Sequence, residues 1–242
     1  KVVWVKYDFW LNIIKEIRKK NLPIYLIAFL ENTKTSFFKR LIINKALNQF
    51  DVVFAQDEKS FSYLNKNIFN VKSILSGDPR VDRVYQIKKE HKDFNEIKKF
   101  KADSYLIIAG STYEKENRML ERYLNTRKDL KLIVAPPDIN TKNISSCLNI
   151  FKDSSLYSTN NFYNKRVLVI DNIGMLSHLY SYADLAVIGG GFNKGIHNIL
   201  EPAVFGVPSL FGPNYDKFIE AIELVRKEGS FSFNNYDLLE EK

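Results

Sequence analysis

The pattern that most constrains this chain is an alternation of two kinds of segment. Short apolar runs rich in Val and Ile lie at Val2–Val5, Ile24–Phe29, Val52–Ala55, Val71–Leu75, Tyr105–Ala109, Leu132–Ala135, Val167–Ile170, Leu185–Ile188 and Ser209–Phe211. Longer amphipathic stretches separate several of them. Trp10–Lys19 sets Trp10, Ile13, Ile14 and Ile17 on one face, with Lys15, Lys19 and Lys20 opposite, and Ser36–Leu47 and Asn117–Leu124 have similar spacing. Strands without polar alternation are buried on both faces, and parallel neighbours need a crossover, usually a helix. The pattern therefore predicts an α/β protein whose parallel sheets are covered on both faces.

The alternation is interrupted once. Residues 84–103, VYQIKKEHKDFNEIKKFKAD, are basic and weakly periodic and read as an exposed helix or linker. The expected organisation is one α/β unit over 1–85, a linker over 86–103 and a second unit over 104–242. A length of 242 residues suits one large domain or two small ones. No repeat of solenoid length is visible. The longest apolar runs, such as Leu22–Leu30, are about half as long as a membrane helix requires. A single cysteine, Cys147, has no partner within the chain, which fits a reducing compartment. The chain opens inside a strand-like run, VVWVKYDFW, and ends at NNYDLLEEK without an expected closing helix. These ends read as a piece of a longer protein.

Thirty-six Lys and Arg against 28 Asp and Glu give a net charge of +8. That balance suggests an anionic partner: nucleic acid, a phosphorylated metabolite or an anionic membrane. Nucleic acid is disfavoured, because the basic residues are dispersed and no binding motif appears.

Chemistry-bearing residues cluster after strands of the second half. The densest stretch is ADLAVIGGGFNKGIHNILEPAVFGVPSLFGP, residues 183–213. A strand ends in Gly189-Gly190-Gly191, where glycines permit positive φ and close approach of a ligand. A helix is expected to begin near His197–Asn198 and to favour anions at its N-terminus. The dinucleotide GxGxxG pattern fails at Lys194, and the Walker pattern fails because Ile196 follows Gly195. No HExxH and no His/Cys cluster with metal spacing occur, so neither a structural zinc nor a catalytic metal is expected.

Glu201 reads either as a complement to the helix dipole or as an acceptor for a ribose diol. Asn198 reads as an N-cap or a ligand donor, His197 as a packed histidine or an acid/base, and Lys194 as an exposed lysine or a phosphate contact. Ser111 and Thr112, after the strand ending at Ala109-Gly110, read as helix caps or as hydrogen-bonding groups for a phosphate or sugar carboxylate. Pro136-Pro137 and Asp171-Asn172-Ile173-Gly174-Met175 follow two further strands. Together these loops line one edge of one sheet, the geometry of a nucleotide-sugar site. In the first half, Arg80 of GDPRVD reads as a bidentate clamp for a carboxylate or phosphate, or as a salt bridge with Asp78 or Asp82.

These residues also carry a family resemblance. GGGFNKGIHNILEPAVFGVPSLFGP resembles the glycine-rich segment of bacterial Kdo (3-deoxy-D-manno-octulosonic acid) transferases. VKYDFWLNIIKEIRKKNLPIYLIAF, FDVVFAQDEKS, GDPRVDRV, IIAGSTYEKE, LIVAP and VLVIDNIGMLSHLYSYADLAVIGG follow in the family's order, from about Val3 to Phe233. The resemblance implies a GT-B glycosyltransferase with two Rossmann-like parallel-sheet domains, the first incomplete here. It implies transfer of Kdo from CMP-Kdo to the lipid A precursor in lipopolysaccharide synthesis, without a metal or other cofactor. It places that work at the cytoplasmic face of the bacterial inner membrane, with the membrane anchor outside this chain.

Residue by residue, the resemblance puts Pro136, Pro137, Ile173, Gly174, Met175, Asn198, Ile199, Leu200 and Glu201 at nucleotide-contacting positions. Ser111, Thr112, Gly190, Gly191 and Lys194 join them as donor-site candidates. Arg80 takes the place of a transition-state stabiliser. Pro137 stands where the family has a basic residue, and Asp8 is the acidic residue left of an acidic-Trp motif. No residue here takes the part of the family's general-base Glu, so this chain alone is expected to be inactive. Two other readings stay open: a GT-B transferase or epimerase using a UDP-sugar, and an inactive donor-binding fragment.

Overall fold

The structure is a computed structural model that describes all residues except Tyr7, 32–34, Phe69 and His91. The chain divides into two compact units, Lys1–Arg83 and Val84–Lys242.

In the first unit, β1 (Val2–Val5), β2 (Ile24–Phe29), β3 (Val52–Ala55) and β4 (Lys72–Leu75) form a four-stranded parallel sheet in chain order. Its crossovers are α1 (Leu11–Lys19), α2 (Phe37–Leu47) and α3 (Glu58–Asn67). Asp57 caps α3 by accepting the Ser60 N–H at 2.7 Å. One core forms here, around Ile14, Leu26, Phe50, Val53 and Leu64. Cover is incomplete at the edge strand β1, where Val3 and Val5, turned away from that core, are 54% and 57% exposed, whereas the inner strands β2 and β3 expose no residue. Trp10 and Ile13, assigned to the apolar face of α1, are also exposed, and of that set Ile14 is the one fully buried.

Asp51 ties this unit together. Its carboxylate accepts the Ile24 N–H at 2.7 Å and pairs with Arg18 of α1 at 3.0 Å. The Ile24 hydrogen bond outweighs desolvation and, with the Arg18 guanidinium, holds its pKa below the ordinary aspartate value. A depressed folded-state pKa stabilises the fold above the unfolded pKa, and the effect is lost as pH falls through the depressed value. Asp51→Ala is expected to cost about 1 kcal/mol at neutral pH, discounted for solvent exposure. Urea unfolding should show that gap narrowing as pH is lowered below the ordinary aspartate range; a pH-independent gap contradicts the assignment.

The second unit is built on a seven-stranded parallel sheet in the order β11-β10-β9-β5-β6-β8-β7. The strands are β5 (Tyr105–Gly110), β6 (Leu130–Ala135), β7 (Ser154–Leu156), β8 (Val167–Val169), β9 (Leu185–Ile188), β10 (Ser209–Phe211) and β11 (Ser230–Ser232). Cover on both faces holds here. Leu106, Ile108, Ile133 and Ile188 belong to one core, and Ile107, Ala109, Leu132 and Val187 to another. That division follows the period-two alternation of side chains along a strand.

Of the two readings of residues 84–103, an exposed helix or a linker, the helical one holds, but the exposure fails for the second helix. These residues hold the later part of α4 (Pro79–Lys89), within which the two units divide, and α5 (Asn95–Lys101). Ile97 and Phe100 of α5 are fully buried in the second unit's core. Lys101 donates to the Tyr182 carbonyl at 2.9 Å and to Asp184 at 2.8 Å. The lysines mark the wet face of a helix whose other face is packed.

The end of the chain also corrects an expectation. Residues 236–241 form α11 (Tyr236–Glu241), capped by Asn235, which accepts the Leu238 N–H at 2.9 Å. Tyr236 and Leu239 of that helix are buried.

Candidate functional site

The sheet order of the second unit locates its site. From β5 the chain runs to β6 on one side; it later returns to β9 on the other. In open parallel sheets such a reversal opens a crevice at the strands' carboxyl ends. A cavity of about 320 Å³ lies there, lined by Gly110, Ser111, Gly174, Leu176, Ser177, Tyr180, Ile188, His197, Asn198 and Glu201. Gly110 ends β5 and Ile188 ends β9. The loop after β8 supplies Gly174, and α8 (Leu176–Leu179) with the turn after it supplies Leu176, Ser177 and Tyr180.

The loops are fixed to one another by backbone contacts. Gly189 donates its N–H to the Gly110 carbonyl at 2.9 Å, and His197 donates to the Gly189 carbonyl at 3.0 Å. Ser111 adopts φ 55°, an uncommon conformation for a side-chain-bearing residue, and donates its N–H to Ala135 at 2.8 Å. Gly110 has no room for a side chain: a Cβ would sit 1.9 Å from the Tyr180 hydroxyl. Tyr180 is buried, and desolvation followed by the nearby Glu201 carboxylate pushes its phenol far above the ordinary range. Burial thus favours its neutral O–H form.

Asn198 and Glu201 form the polar wall. The Asn198 side-chain amide donates to Glu201 Oε1 at 3.0 Å, while Asn198 Oδ1 accepts the Leu200 N–H at 3.2 Å. Asn198 thus closes an Asx-type turn on Leu200 and orients Glu201, while the N-cap of the helix that follows is Ile199. His197 stacks on Tyr113, with ring centroids 5.9 Å apart and Nε2 at 3.4 Å from the Tyr113 hydroxyl. Partial desolvation lowers its pKa, outweighing the Asp138 charge, which favours the neutral imidazole.

The structure brings Ser111, Gly174, His197, Asn198 and Glu201 of the sequence candidates onto one cavity. Other candidates lie elsewhere. Ile199 and Met175 are buried in the core, and Leu200 opens α9 (Leu200–Ala203). Gly191 packs its backbone against Gly212, and Gly190 holds φ 90°. Lys194 is exposed, and Ile173 is 91% exposed at the tip of its loop. Pro136 is buried and Pro137 half-buried, and neither lines the cavity. Thr112 is buried rather than capping: the N-cap of α6 (Glu114–Thr126) is Tyr113. The helix expected near His197–Asn198 is the four-residue α9, too short for a substantial dipole.

In the first unit, Arg80 realises the salt-bridge reading. Its Nε lies 2.9 Å and its Nη2 2.5 Å from Asp78 Oδ2. Partial burial opposes ionisation of Asp78, but the Arg80 side chain and backbone N–H outweigh it and hold the carboxyl below its usual range. Asp8 is exposed, and its backbone carbonyl accepts the Trp4 indole N–H at 2.8 Å.

Gly110, Leu176, Ser177, Tyr180 and Ile188 were not predicted as lining residues. Glu116 also escaped notice, although its spacing from Leu120 and Leu124 places a carboxylate on the buried stripe of α6.

Comparison with known proteins gives this site its context. Residues 1–83, the same span as the first unit, match the family described as 3-Deoxy-D-manno-octulosonic-acid transferase (kdotransferase). The chain is 29% identical over 244 residues to the 3-deoxy-D-manno-octulosonic acid transferase of Chlamydophila psittaci, covering 95% of this chain and 55% of that protein. The chain spans about half the length of the curated relatives it matches. Among solved structures, the C-terminal CMP-Kdo binding domain of WaaA from Acinetobacter baumannii aligns with 66% of this chain and 85% of that one. Its TM-score is 0.53 at 22% identity. The S. aureus MnaA-UDP complex aligns with 99% of this chain and 64% of that one, at TM-score 0.64 and 14% identity. The fold class is therefore that of GT-B proteins, with two Rossmann-like parallel sheets. Sequence similarity to proteins named as Kdo transferases extends over 95–99% of the chain at 26–29% identity, while the family model itself matches the first unit.

The close approach of Gly110 to Tyr180 yields a direct test. Gly110→Ala is expected to destabilise the second unit by about 1–3 kcal/mol through overpacking. Adding Tyr180→Phe removes the clashing oxygen and should recover most of that loss in thermal melts. A double variant as unstable as Gly110→Ala contradicts the contact.

Proposed function

We propose that the second unit binds CMP-Kdo, and that the whole protein transfers Kdo to a lipid A precursor. The observation that carries this reading is the coincidence of two things: relatives named as Kdo transferases that align across 95–99% of the chain, and a cavity at the sheet's switch point containing Ser111, Gly174, Asn198 and Glu201. The A. baumannii domain that shares this fold is itself described as CMP-Kdo binding.

In this proposal Glu201, oriented by Asn198, accepts hydrogen bonds from the ribose diol. Ser111 and the adjoining backbone face the phosphate or the sugar carboxylate. An acceptor hydroxyl attacks the anomeric carbon and gives up its proton to a general base outside the assigned residues. CMP leaves with the bonding electron pair. Arg80 is the proposed stabiliser of developing charge, with Asp78 as the partner that orients it. No metal is required, so excess EDTA is expected to leave CMP affinity unchanged.

A UDP-sugar reading has its own support, because the UDP complex of MnaA aligns with nearly the whole chain. Calorimetry separates the two. The expectation is CMP binding, no comparable UDP binding, and about tenfold weaker CMP binding in Glu201→Ala, as for one lost charge-assisted contact. UDP binding without CMP binding overturns the donor assignment; unchanged affinity in Glu201→Ala overturns the role of that residue.

The acceptor side of the proposal is an anionic inner-membrane surface at the cytoplasmic face. Among the described residues no helix is long and apolar enough to cross a membrane. The first unit instead exposes Phe37 and Phe38, at 71% and 78%, with Leu41 and Ile42 on α2. Lys39 and Lys45 of the same helix are also exposed. Exposed aromatic and aliphatic side chains beside lysines suit an anionic bilayer surface. The chain is expected to co-sediment with phosphatidylglycerol vesicles and much less with phosphatidylcholine vesicles. Phe37→Ser/Phe38→Ser should weaken that binding at least about tenfold, given the apolar area withdrawn from lipid. Equal binding by the variant contradicts this use of α2.

A further inference from the structure

Glu116 is fully buried on α6, on the same stripe as Leu120 and Leu124. A carboxyl in that position is costly unless a specific bond offsets its desolvation. Its Oε1 accepts the Gly190 N–H at 3.0 Å. Its Oε2, with Thr112 Oγ1 and Asn117 Oδ1, is buried with no hydrogen-bond partner among the described residues. Backbone N–H groups of its own turn, at Glu116 and Tyr113, also favour the carboxylate, and the bond to Gly190 is what ties it to the glycine loop.

Gly190 is the hub of the loop that builds the cavity's polar wall. It holds φ 90°, and its carbonyl accepts the N–H groups of Asn193 at 2.9 Å and Gly195 at 3.3 Å. Its neighbour Gly189 receives the His197 N–H at 3.0 Å, and His197 and Asn198 then line the cavity. Fixing the Gly190 peptide fixes where the folded-back loop delivers those two residues.

We propose that Glu116 is a positioning residue of the donor site, acting through the Gly190 N–H to set the loop that carries His197 and Asn198. The proposal rests on the donor-site reading above. It touches no substrate atom and assigns Glu116 no proton transfer. Burial raises the Glu116 pKa despite hydrogen bonds from backbone N–H groups, Gly190 among them. Gln, which keeps an acceptor oxygen and the shape without a charge, is thus the conservative replacement.

The test compares the chain with Glu116→Gln, Glu116→Leu and Glu116→Asp. CMP affinity is read by calorimetry, folding by thermal melting, and loop geometry by the amide resonance of Gly190. Glu116→Gln should bind CMP within about twofold of the native chain. Glu116→Leu and Glu116→Asp, which remove or withdraw the acceptor, should bind about tenfold more weakly, with a shifted Gly190 amide. Native affinity in a folded Leu or Asp variant overturns the proposal, as does equal loss in Glu116→Gln. If Glu116→Leu fails to fold, Glu116→Asp decides. If the native chain binds no CMP, the donor reading fails separately; an unmoved Gly190 amide in the Asp variant then overturns the positioning role as well.

Discussion

Strand β5 is hydrogen-bonded to β6 on one side and to β9 on the other, and the crossovers that leave β5 and β9 run toward opposite edges of the sheet. The site depends on that arrangement. Two strand ends must lie side by side while the chain leaves them in different directions. The hydrogen bond from Gly189 to Gly110 closes the floor between them. Tyr180 fills the space that the absent Gly110 side chain leaves. What remains open above is a polar-walled cavity rather than a packed core.

The buried carboxyl of Glu116 belongs to the same construction. A loop with positive φ at Gly190 needs a partner for its N–H groups, and the adjoining helix supplies one. Asn198 does similar work nearer the cavity, taking the Leu200 N–H and orienting Glu201. The side chains at the proposed site first satisfy the backbone. That economy links the positions a ligand would touch with those that make the loop rigid.

Much of the fold was legible because strand and helix leave different periods in the sequence. Val2–Val5, Ile24–Phe29, Val52–Ala55, Leu185–Ile188 and Ser209–Phe211 are strands with the bounds the apolar runs predict. The strands that escaped, Ser154–Leu156 and Ser230–Ser232, are short and lie at the two edges of the sheet. An edge strand is covered less completely, so it needs no continuous apolar run. Residues 84–103 are helical, as one of their two readings had it, but the burial of α5 was hidden because lysines dominate the composition and Ile97 and Phe100 alone carry it. In the site, glycine after a strand was the useful signal. It found the loops of Ser111, Gly174 and Asn198–Glu201, but it did not separate residues facing the cavity from those facing the core. Met175 and Ile199 show the difference, since each sits beside a lining residue and points into the core. Tyr180 and Glu116 were missed because their roles come from tertiary contact with Gly110 and Gly190.

The central claim is that the crevice at the β5/β9 switch is a nucleotide site. A crystal structure of the chain soaked with CMP tests it most directly. The account predicts CMP in the cavity, with its ribose hydroxyls within hydrogen-bond distance of Glu201 and its base or phosphate against the Ser111 and Gly174 loops. CMP bound elsewhere on the second unit, with Glu201 and Asn198 untouched, would contradict it.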